Sequence, residues 1–413
     1  MNLILQTHIL SHILSHIRRD VQSMHAYAIQ DSAGMVKLDA MENPYVLPPA
    51  LQAQLGERLG KLAINRYPGA RVEDLKTALR SYAQVPAGYG LMLGNGSDEL
   101  ISLLAMACST PAHAGSGQPA QAGIGQHAQA GSGQPAQAGS GQHAQVGSAQ
   151  LSSAKILAPL PGFVMYAMSA QLQGLQFIGV PLTDDFELDE PAMLTAIAHE
   201  KPAITYIAYP NNPTANLWDE SVIKKIISTC AQYGGIVVID EAYQPFSSKS
   251  WMQHIHAAPE ANANVLLMRT LSKFGLAGVR LGYMTGPAAL VNEIDKLRPP
   301  YNISVLNAEC ALFAIQNKEV FALQALEICA QRAMLLKAVN QIPGAQAAKS
   351  DANMFLVRVA DAAKTFYGLK QRGILVKNVS AMHPLLTNTL RISVGTPAEN
   401  QLLLKALQEC LSI

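Results

Sequence analysis

Residues 235–243 read G-I-V-V-I-D-E-A-Y, a short apolar run that ends in Asp240. Four consecutive β-branched residues after glycine predict a strand buried on both faces, as in a parallel sheet. A carboxylate without a partner is costly at the end of such a strand, so we expect a cationic group beside Asp240. A turn or N-cap aspartate is the alternative, and it is weaker because Glu241, Ala242 and Tyr243 continue the motif.

Further apolar runs predict four more buried parallel strands: Lys155–Ala158, Ala203–Ala208, Val265–Met268 and Leu281–Thr285. Helical patterns such as Asp219–Tyr233 lie between them. This alternation predicts the α/β class, with a doubly wound and mainly parallel sheet.

The pattern changes after Pro299-Pro300. Long helices over Asn307–Val339 are followed by short strands near Met354–Arg358 and Leu390–Val394. These features predict three units: an N-terminal arm (1–45), a large domain (46–299) and a smaller α/β domain (300–413). We expect the arm to pack against the small domain or a partner subunit.

The bulk composition excludes several classes of function. The chain has 413 residues and a net charge of +1, which gives no reason to expect a nucleic-acid partner. Five scattered cysteines without a CxxC pair favour reduced thiols in a cytoplasmic enzyme over a disulfide framework or a zinc site. The first twenty residues lack the order of a secretory signal, and no stretch is long enough to span a membrane.

Two repeats stand apart from these patterns. Residues 114–150 repeat an octapeptide of the type AGSGQPAQ, which lacks charged and aromatic residues and predicts a flexible insertion, assigned to 111–153. Near the N-terminus a four-residue repeat would place His8, His12 and His16 on one helix face. Metal binding is one interpretation of these histidines, and an amphipathic packing helix is the favoured one.

The segment Thr270–Tyr283 reads T-L-S-K-F-G-L-A-G-V-R-L-G-Y and supplies the chemistry that Asp240 needs. A lysine such as Lys273 can hold an aldehyde cofactor as a Schiff base, whereas a buried acid can hold a pyridinium nitrogen. Hydroxyl groups and Arg280 can hold a phosphate. Together these residues predict pyridoxal phosphate as the cofactor and predict no metal.

Two further turns fit the same cofactor. Asn211-Asn212-Pro213-Thr214 follows an apolar strand, at the place where open α/β sheets bind ligands. Gly94–Glu99 precedes an apolar helical run, so its backbone N–H groups can bind a phosphate at a helix N-terminus. A capping box around Ser97 explains the second turn equally well, and both can hold.

The order of five segments resembles the fold-type I pyridoxal-phosphate aminotransferases: G-S-D-E, P-N-N-P-T, D-E-A-Y, T-L-S-K-x-G-L-A-G-x-R and L-R-I-S-V-G. K-L-D-A-M-E-N-P-Y, N-R-Y-P-G and R-G-I-L-V-K-N are similar to the histidinol-phosphate aminotransferases within that class. The resemblance covers about residues 18–413 apart from the insertion. It implies a large domain with a seven-stranded sheet flanked by helices, and a smaller α/β domain.

The resemblance also implies a role for each matching residue. Lys273 forms the Schiff base and moves a proton, Asp240 pairs with the pyridine nitrogen, and Asn212 and Tyr243 contact the ring hydroxyl. The cofactor phosphate is held by five residues: Gly96, Ser97, Thr270, Ser272 and Arg280.

The remaining implied roles concern the ring face, the partner subunit and the substrate. Tyr166 lies near the position of the aromatic residue that stacks on the ring, with Phe163 as its competitor. Tyr67 reaches the cofactor phosphate of the neighbouring subunit, so a homodimer is expected. Substrate binding falls to three residues: Tyr45, Lys377 and Arg391.

Three departures from the family pattern accompany these roles. Only seven positions separate Lys273 from Arg280, so a tight turn is expected. Lys377 stands where relatives often have arginine, which keeps the charge and loses the bidentate fork. Ala215 stands where glycine is common.

The expected activity is amino transfer between glutamate and imidazole-acetol phosphate, which yields L-histidinol phosphate. The alternatives on the same scaffold are an aromatic amino acid transaminase and a threonine-phosphate decarboxylase. A cofactor-binding regulator is a third possibility, and the presence of Lys273, Asp240 and Arg391 argues against it.

Overall fold

The structure is a computed structural model that describes residues 13–23, 30–109 and 154–412. The predicted insertion, His8 and His12 lie outside these ranges. Within them, no group of three or more His, Cys, Asp or Glu side chains is arranged to hold a metal ion. No helix of the described part of the chain is both long and apolar enough to cross a membrane.

A seven-stranded sheet forms the centre of the molecule, with the strand order β2-β8-β7-β6-β5-β3-β4. The strands are β2 (Tyr89–Gly94), β3 (Lys155–Leu160), β4 (Gln176–Pro181), β5 (Ile204–Ala208), β6 (Ile236–Asp240), β7 (Val265–Thr270) and β8 (Gly282–Pro287). The α/β class and the mainly parallel sheet are therefore confirmed.

The direction of one strand differs from the prediction. We expected Leu281–Thr285 to be parallel, but β8 is antiparallel to both β7 and β2. The physical reason is the short connection, residues 271–281, between β7 and β8. A parallel pair requires a crossover of about a dozen residues or more, usually through a helix.

The apolar runs form strands because both faces of the sheet are covered by helices. Along β6, Val237 and Ile239 belong to the apolar cluster on one face, whereas Val238 belongs to the cluster on the other. This alternation is the two-residue period of a strand. Asp240 follows at the carboxyl end, where the apolar cover stops.

The helices that surround the sheets have the following bounds: α1 (Arg19–Gln22), α2 (Pro49–Gly60), α3 (Arg71–Tyr82), α4 (Gly96–Cys108), α5 (Val164–Leu172), α6 (Glu190–Glu200), α7 (Glu220–Gln232), α8 (Met252–Ala257), α9 (Ala288–Asp295), α10 (Val305–Gln316), α11 (Lys318–Val339), α12 (Ala362–Gln371) and α13 (Pro397–Leu411). The helix predicted for Asp219–Tyr233 is α7, and Asp219 caps it by accepting a hydrogen bond from the Ser221 backbone N–H. The long helices predicted for Asn307–Val339 are α10 and α11, which meet at Asn317.

A second, antiparallel sheet has the order β12-β13-β10-β9, and a separate pair joins β1 to β11. Their bounds are β1 (Val36–Lys37), β9 (Ala345–Ala347), β10 (Met354–Val359), β11 (Ile374–Leu375), β12 (Lys377–Asn378) and β13 (Thr389–Ser393). Leu38 lies in the apolar cluster of this region, so the last part of the predicted N-terminal arm packs there. Helix α10 packs with Leu75 and Leu91 of the large-sheet region. The three domain boundaries stay predictions.

Candidate active site

A cavity lies at the carboxyl edge of the large sheet, where β5, β6 and β7 end. Its lining contains most of the predicted site residues: Ser97, Tyr166, Asn212, Asp240, Tyr243, Thr270, Ser272, Lys273 and Arg280. Met41, Asp98 and Phe163 also line it; the sequence predicts no site role for Met41 or Asp98, and it offers Phe163 as the competitor of Tyr166. Separate segments of the chain meet here because parallel strands end at a common edge.

Asp240 occupies the buried floor of this cavity. Its Oδ2 accepts a hydrogen bond of 2.7 Å from the Tyr166 hydroxyl, and its Oδ1 accepts one of 3.0 Å from the Ala242 backbone N–H. Burial raises the pKa of Asp240 to about 6, and the hydrogen bond from Tyr166 opposes this shift. A buried acid of this kind suits a cationic partner, as the sequence predicts.

Lys273 lies in the turn after β7 and lines the same cavity as Asp240. Its Nζ donates a 3.0 Å hydrogen bond to the Ala40 carbonyl and lies 6.0 Å from the ring centre of Tyr243. Burial, followed by the nearby Arg391 charge, lowers the pKa of Lys273 to about 8. The amine is therefore more easily neutral than an ordinary lysine, and the neutral form is the nucleophile that bonds to an aldehyde.

The connection from Lys273 to Arg280 is tight, as predicted. An irregular turn, Ser272–Leu276, is followed directly by one 3₁₀ turn, Ala277–Val279. Gly275 has a φ of 140°, which side chains rarely adopt, and a Cβ there would lie 2.8 Å from the Phe321 ring. Arg280 itself has a φ of 53°, an uncommon conformation for a non-glycine residue that is found at functional sites.

Polar groups converge at one end of the cavity. The Thr270 hydroxyl donates to Ser272 Oγ at 3.0 Å, and Arg280 Nη1 donates to the same oxygen at 3.3 Å. Gly96 begins helix α4, and a Cβ on it would lie only 2.7 Å from Arg280 Nη2. The glycine therefore leaves open the space between a helix N-terminus and a guanidinium, an arrangement that suits a phosphate.

Asp98 is a site residue that sequence reasoning did not assign. Its Oδ2 accepts a 3.1 Å hydrogen bond from Arg280 Nη2, so this carboxylate competes for the guanidinium. The segment G-S-D-E contained the residue, but its spacing gave no sign that Asp98 would face an arginine 182 positions away. Only the approach of β8 to helix α4 brings the two together.

A second basic group lies above the cavity. Arg391 on β13 donates through Nη1 to Asn212 Oδ1 at 2.9 Å and through Nη2 to the Asp39 carbonyl at 2.8 Å. Lys377 is paired opposite Arg391 in the β12–β13 ladder, which places both cations in neighbouring positions. These two predicted substrate residues are brought together, although neither lines the cavity directly.

The structure does not bring Tyr45 or Tyr67 to the cavity of this subunit. Tyr45 packs against the core of the small-sheet region, and burial raises the pKa of its hydroxyl. Tyr67 is 76% exposed, and its ring stacks on Tyr301 at a centroid distance of 4.3 Å. The roles of both residues stay predictions.

The residues present fit pyridoxal phosphate. The cavity combines an amine of lowered pKa, a buried carboxyl group of raised pKa, and an anion cradle that a Cβ at Gly96 would fill. These groups match the aldehyde, the ring nitrogen and the phosphate of that cofactor. Lys273 would bond to the aldehyde, Asp240 would hold the nitrogen, and Arg280 with the start of α4 would hold the phosphate.

Sequence comparison defines the class. The family described as aminotransferase class I and II matches residues 136–407, and the chain belongs to this family. The histidinol-phosphate aminotransferase of Polaromonas naphthalenivorans is 60% identical over 395 residues, which are 96% of each chain. The protein of the same name from Acidovorax sp. strain JS42 is 57% identical over 96% of each chain.

Comparison with solved structures agrees on the fold. Histidinol-phosphate aminotransferase from Sinorhizobium meliloti, in complex with pyridoxal-5'-phosphate, has a TM-score of 0.74 at 21% identity and covers 96% of this chain and 98% of its own. The enzyme from Clostridium acetobutylicum has a TM-score of 0.73 at 18% identity and covers 91% of this chain and 99% of its own. The predictions of a fold-type I aminotransferase and of its pyridoxal phosphate cofactor are confirmed.

Proposed function

We propose that the chain transfers an amino group from glutamate to imidazole-acetol phosphate and so forms L-histidinol phosphate. The observation that carries this function is the cavity lined by Lys273, Asp240 and Asn212, with Arg391 hydrogen-bonded to Asn212 beside it. The reaction runs in two halves, and each substrate in turn presents an anionic group. The identity of about 60% to a histidinol-phosphate aminotransferase over nearly the whole chain supports this specificity.

The roles of the residues follow from their surroundings. Pyridoxal phosphate, when bound, supplies an electron sink for the bond that breaks at the substrate α-carbon. Lys273, with its pKa lowered to about 8, can move a proton between that carbon and the cofactor. Asp240 holds the ring nitrogen, and Arg280 orients the phosphate against helix α4. Met41 lines the cavity and helps to exclude water.

Arg391 gives the site its preference for anions. Its guanidinium donates to Asn212 and to the Asp39 carbonyl, so its orientation is fixed. A fixed guanidinium can hold the carboxylate of glutamate or the phosphate of histidinol phosphate in bidentate fashion. Lys377 adds a second positive charge beside it, which favours the more highly charged phosphate substrate.

The substrate assay compares two amino acceptors with glutamate in the forward direction and two amino donors in the reverse direction. Purified enzyme with glutamate and imidazole-acetol phosphate should form histidinol phosphate, and histidinol without its phosphate should react far more slowly in reverse. The matched control replaces imidazole-acetol phosphate by phenylpyruvate. Faster reaction with phenylpyruvate would establish an aromatic transaminase instead, and carbon dioxide release from threonine phosphate would establish a decarboxylase.

We also propose a homodimer in which Tyr67 completes the site of the neighbouring subunit. Tyr67 is exposed and does not line this subunit's own cavity. Val46 and Ile64, which lie close to it in the sequence, also expose apolar side chains. An exposed apolar set of this kind is typical of an interface. The cytoplasmic location is proposed on the absence of disulfides among the described residues, whose five cysteines are all free.

Subunit mixing tests the shared site. Tyr67→Ala and Lys273→Ala are each expected to lose most activity, because each damages both sites of its own dimer. After random exchange of subunits, about a quarter of the sites should hold both intact residues, and activity should recover to about that fraction. A mixture as inactive as its parents would show that Tyr67 does not act across the interface.

A further inference from the structure

We infer that Tyr166 is a positioning residue that orients the carboxylate of Asp240 through its hydroxyl. The inference deepens the proposed function, because Asp240 is the predicted partner of the ring nitrogen. It assigns to Tyr166 a different role from the stacking role that the sequence predicts.

The first observation is the geometry of the carboxylate. The Tyr166 hydroxyl donates to Oδ2 at 2.7 Å, and the Ala242 backbone N–H donates to Oδ1 at 3.0 Å. Each oxygen has one donor from the protein, so the plane of the carboxylate is set. Each oxygen also keeps further lone-pair capacity, which leaves Asp240 able to accept the N–H of a bound pyridinium.

The second observation is the position of the Tyr166 ring. The ring is only 2% exposed, and one of its faces is stacked on Tyr206 at a centroid distance of 4.2 Å and an angle of 8°. Phe163 meets the ring at 88° with a centroid distance of 5.6 Å. A ring held in this way presents its hydroxyl to Asp240, whereas the less buried Phe163 is available to a ligand in the cavity.

The third observation concerns the charges around Asp240. Burial, Asp98 and Glu241 all raise the pKa of this acid, and the Tyr166 and Ala242 hydrogen bonds oppose them. Glu241 has its own partner in Arg269, at 2.8 Å, whereas Tyr166 is the one side chain among the described residues that hydrogen-bonds Asp240. The loss of its hydroxyl would therefore leave the buried carboxylate less stable as an anion.

Tyr206 provides a matched control. It is a fully buried tyrosine stacked on the same ring, but its hydroxyl has no hydrogen-bond partner in the described part of the chain. Tyr166→Phe and Tyr206→Phe thus remove the same atom from adjacent rings, and only the first removes a bond to Asp240. Both variants keep the aromatic packing, and thermal unfolding checks that both fold.

The experiment measures cofactor binding and the pH titration of its absorbance band when bound to Lys273. Tyr166→Phe should weaken cofactor binding about tenfold and lower kcat about tenfold with KM nearly unchanged, as expected for the loss of a hydrogen bond to a charged group. The midpoint of the absorbance titration should move to higher pH, because a more basic Asp240 draws the proton away from the ring nitrogen. Tyr206→Phe should change none of these quantities.

Two results would overturn the inference. One is a Tyr166→Phe titration identical to that of the wild type, and the other is an equal shift in Tyr206→Phe, which would indicate packing alone. A double-mutant cycle guards against indirect effects, since Tyr166→Phe should add no further loss in an Asp240→Asn background.

The inference and the proposed function can fail separately. A wild-type enzyme that ignores histidinol phosphate but shows the Tyr166-dependent titration would remove the substrate assignment and keep the positioning role. An enzyme that forms histidinol phosphate with an unshifted Tyr166→Phe titration would do the opposite.

Discussion

The cavities at the two edges of the large sheet differ in chemistry as well as in volume. At the amino edge, a groove of about 1090 Å³ runs past the starts of β6 and β7 and helix α7, with Gly235, Asn264 and Trp251 in its lining. The cavity at the carboxyl edge is smaller, at about 120 Å³, but it holds the two groups, Asp240 and Lys273, whose pKa values are shifted towards each other. Volume therefore does not locate the active site of this fold.

The physical reason lies in the direction of the chain. Parallel strands end at one edge, and the helices that follow them point their N-termini and partial positive charges towards it. The amino edge receives the C-termini of the same helices. It also receives the ends of the insertion, because Ser109 follows helix α4 and Ala154 precedes β3.

The largest expected difference between the edges comes from removing a lysine at each. Lys273→Ala should lower kcat by about 10³-fold or more, because the residue both binds the cofactor and transfers the proton, and the proton transfer alone contributes about 10²–10⁴-fold. Lys225→Ala at the amino-edge groove removes an exposed ion pair with Glu190 and should leave kcat unchanged. Steady-state assays and the absorbance of the bound cofactor measure both. Comparable losses in the two variants would erase the distinction.

A smaller effect is expected at Arg391. Arg391→Lys keeps the charge but loses the bidentate fork and the contact with Asn212, so kcat/KM for histidinol phosphate should fall about 10- to 100-fold. Arg358→Lys on the adjacent strand β10 is the matched control, since this arginine is exposed and donates to the Leu385 carbonyl. Its kcat/KM should stay within about twofold. Equal losses would mean that the sheet, rather than the fork, is sensitive to the exchange.

The pH dependence of stability reports on Asp240 in the cofactor-free protein. Because the folded pKa is raised to about 6, the folded state binds more protons than the unfolded state between about pH 4 and 6, so Asp240 lowers stability as the pH rises through that window. Asp240→Asn removes this loss. Its stability relative to the wild type should increase by about 1–3 kcal/mol from pH 4 to 7. Denaturant unfolding at several pH values tests this, and parallel curves for the two proteins would contradict the raised pKa.

The smallest effect is expected from the insertion. Deleting Ala114–Gln150 leaves seven residues, 110–113 and 151–153, to connect Ser109 to Ala154. Since both ends lie at the edge opposite the catalytic groups, kcat/KM should stay within about twofold, and sedimentation should show an unchanged oligomer. A collapse in activity or in assembly would show that the amino edge has a function of its own.

Local patterns were sufficient for much of the fold. The runs that became β3, β5, β6 and β7 carry β-branched or apolar residues on both faces, a pattern that depends only on burial by two layers of helices. The direction of β8 escaped prediction, because an apolar run does not reveal strand direction and only the short connection from β7 decides it.

The site was partly predictable for a similar reason. Four site residues lie beside a strand end or a helix start, so their surroundings could be predicted from the adjacent sequence: Gly96, Asn212, Asp240 and Lys273. Contacts between segments that are distant in the sequence could not be predicted in this way. The hydrogen bond from Tyr166 to Asp240 spans 74 positions, and the one from Arg391 to Asn212 spans 179.

The sequence by itself determined the class of fold, the cofactor and the candidate groups that would bind it, because these depend on residue types and their order along strands. Tertiary structure alone decided that the Tyr166 ring stacks on Tyr206, that its hydroxyl donates to Asp240, and that Asp98 faces Arg280. Those assignments depend on distances of about 3 Å between side chains from separate elements, and hydrogen bonds of that length are set by packing rather than by local pattern.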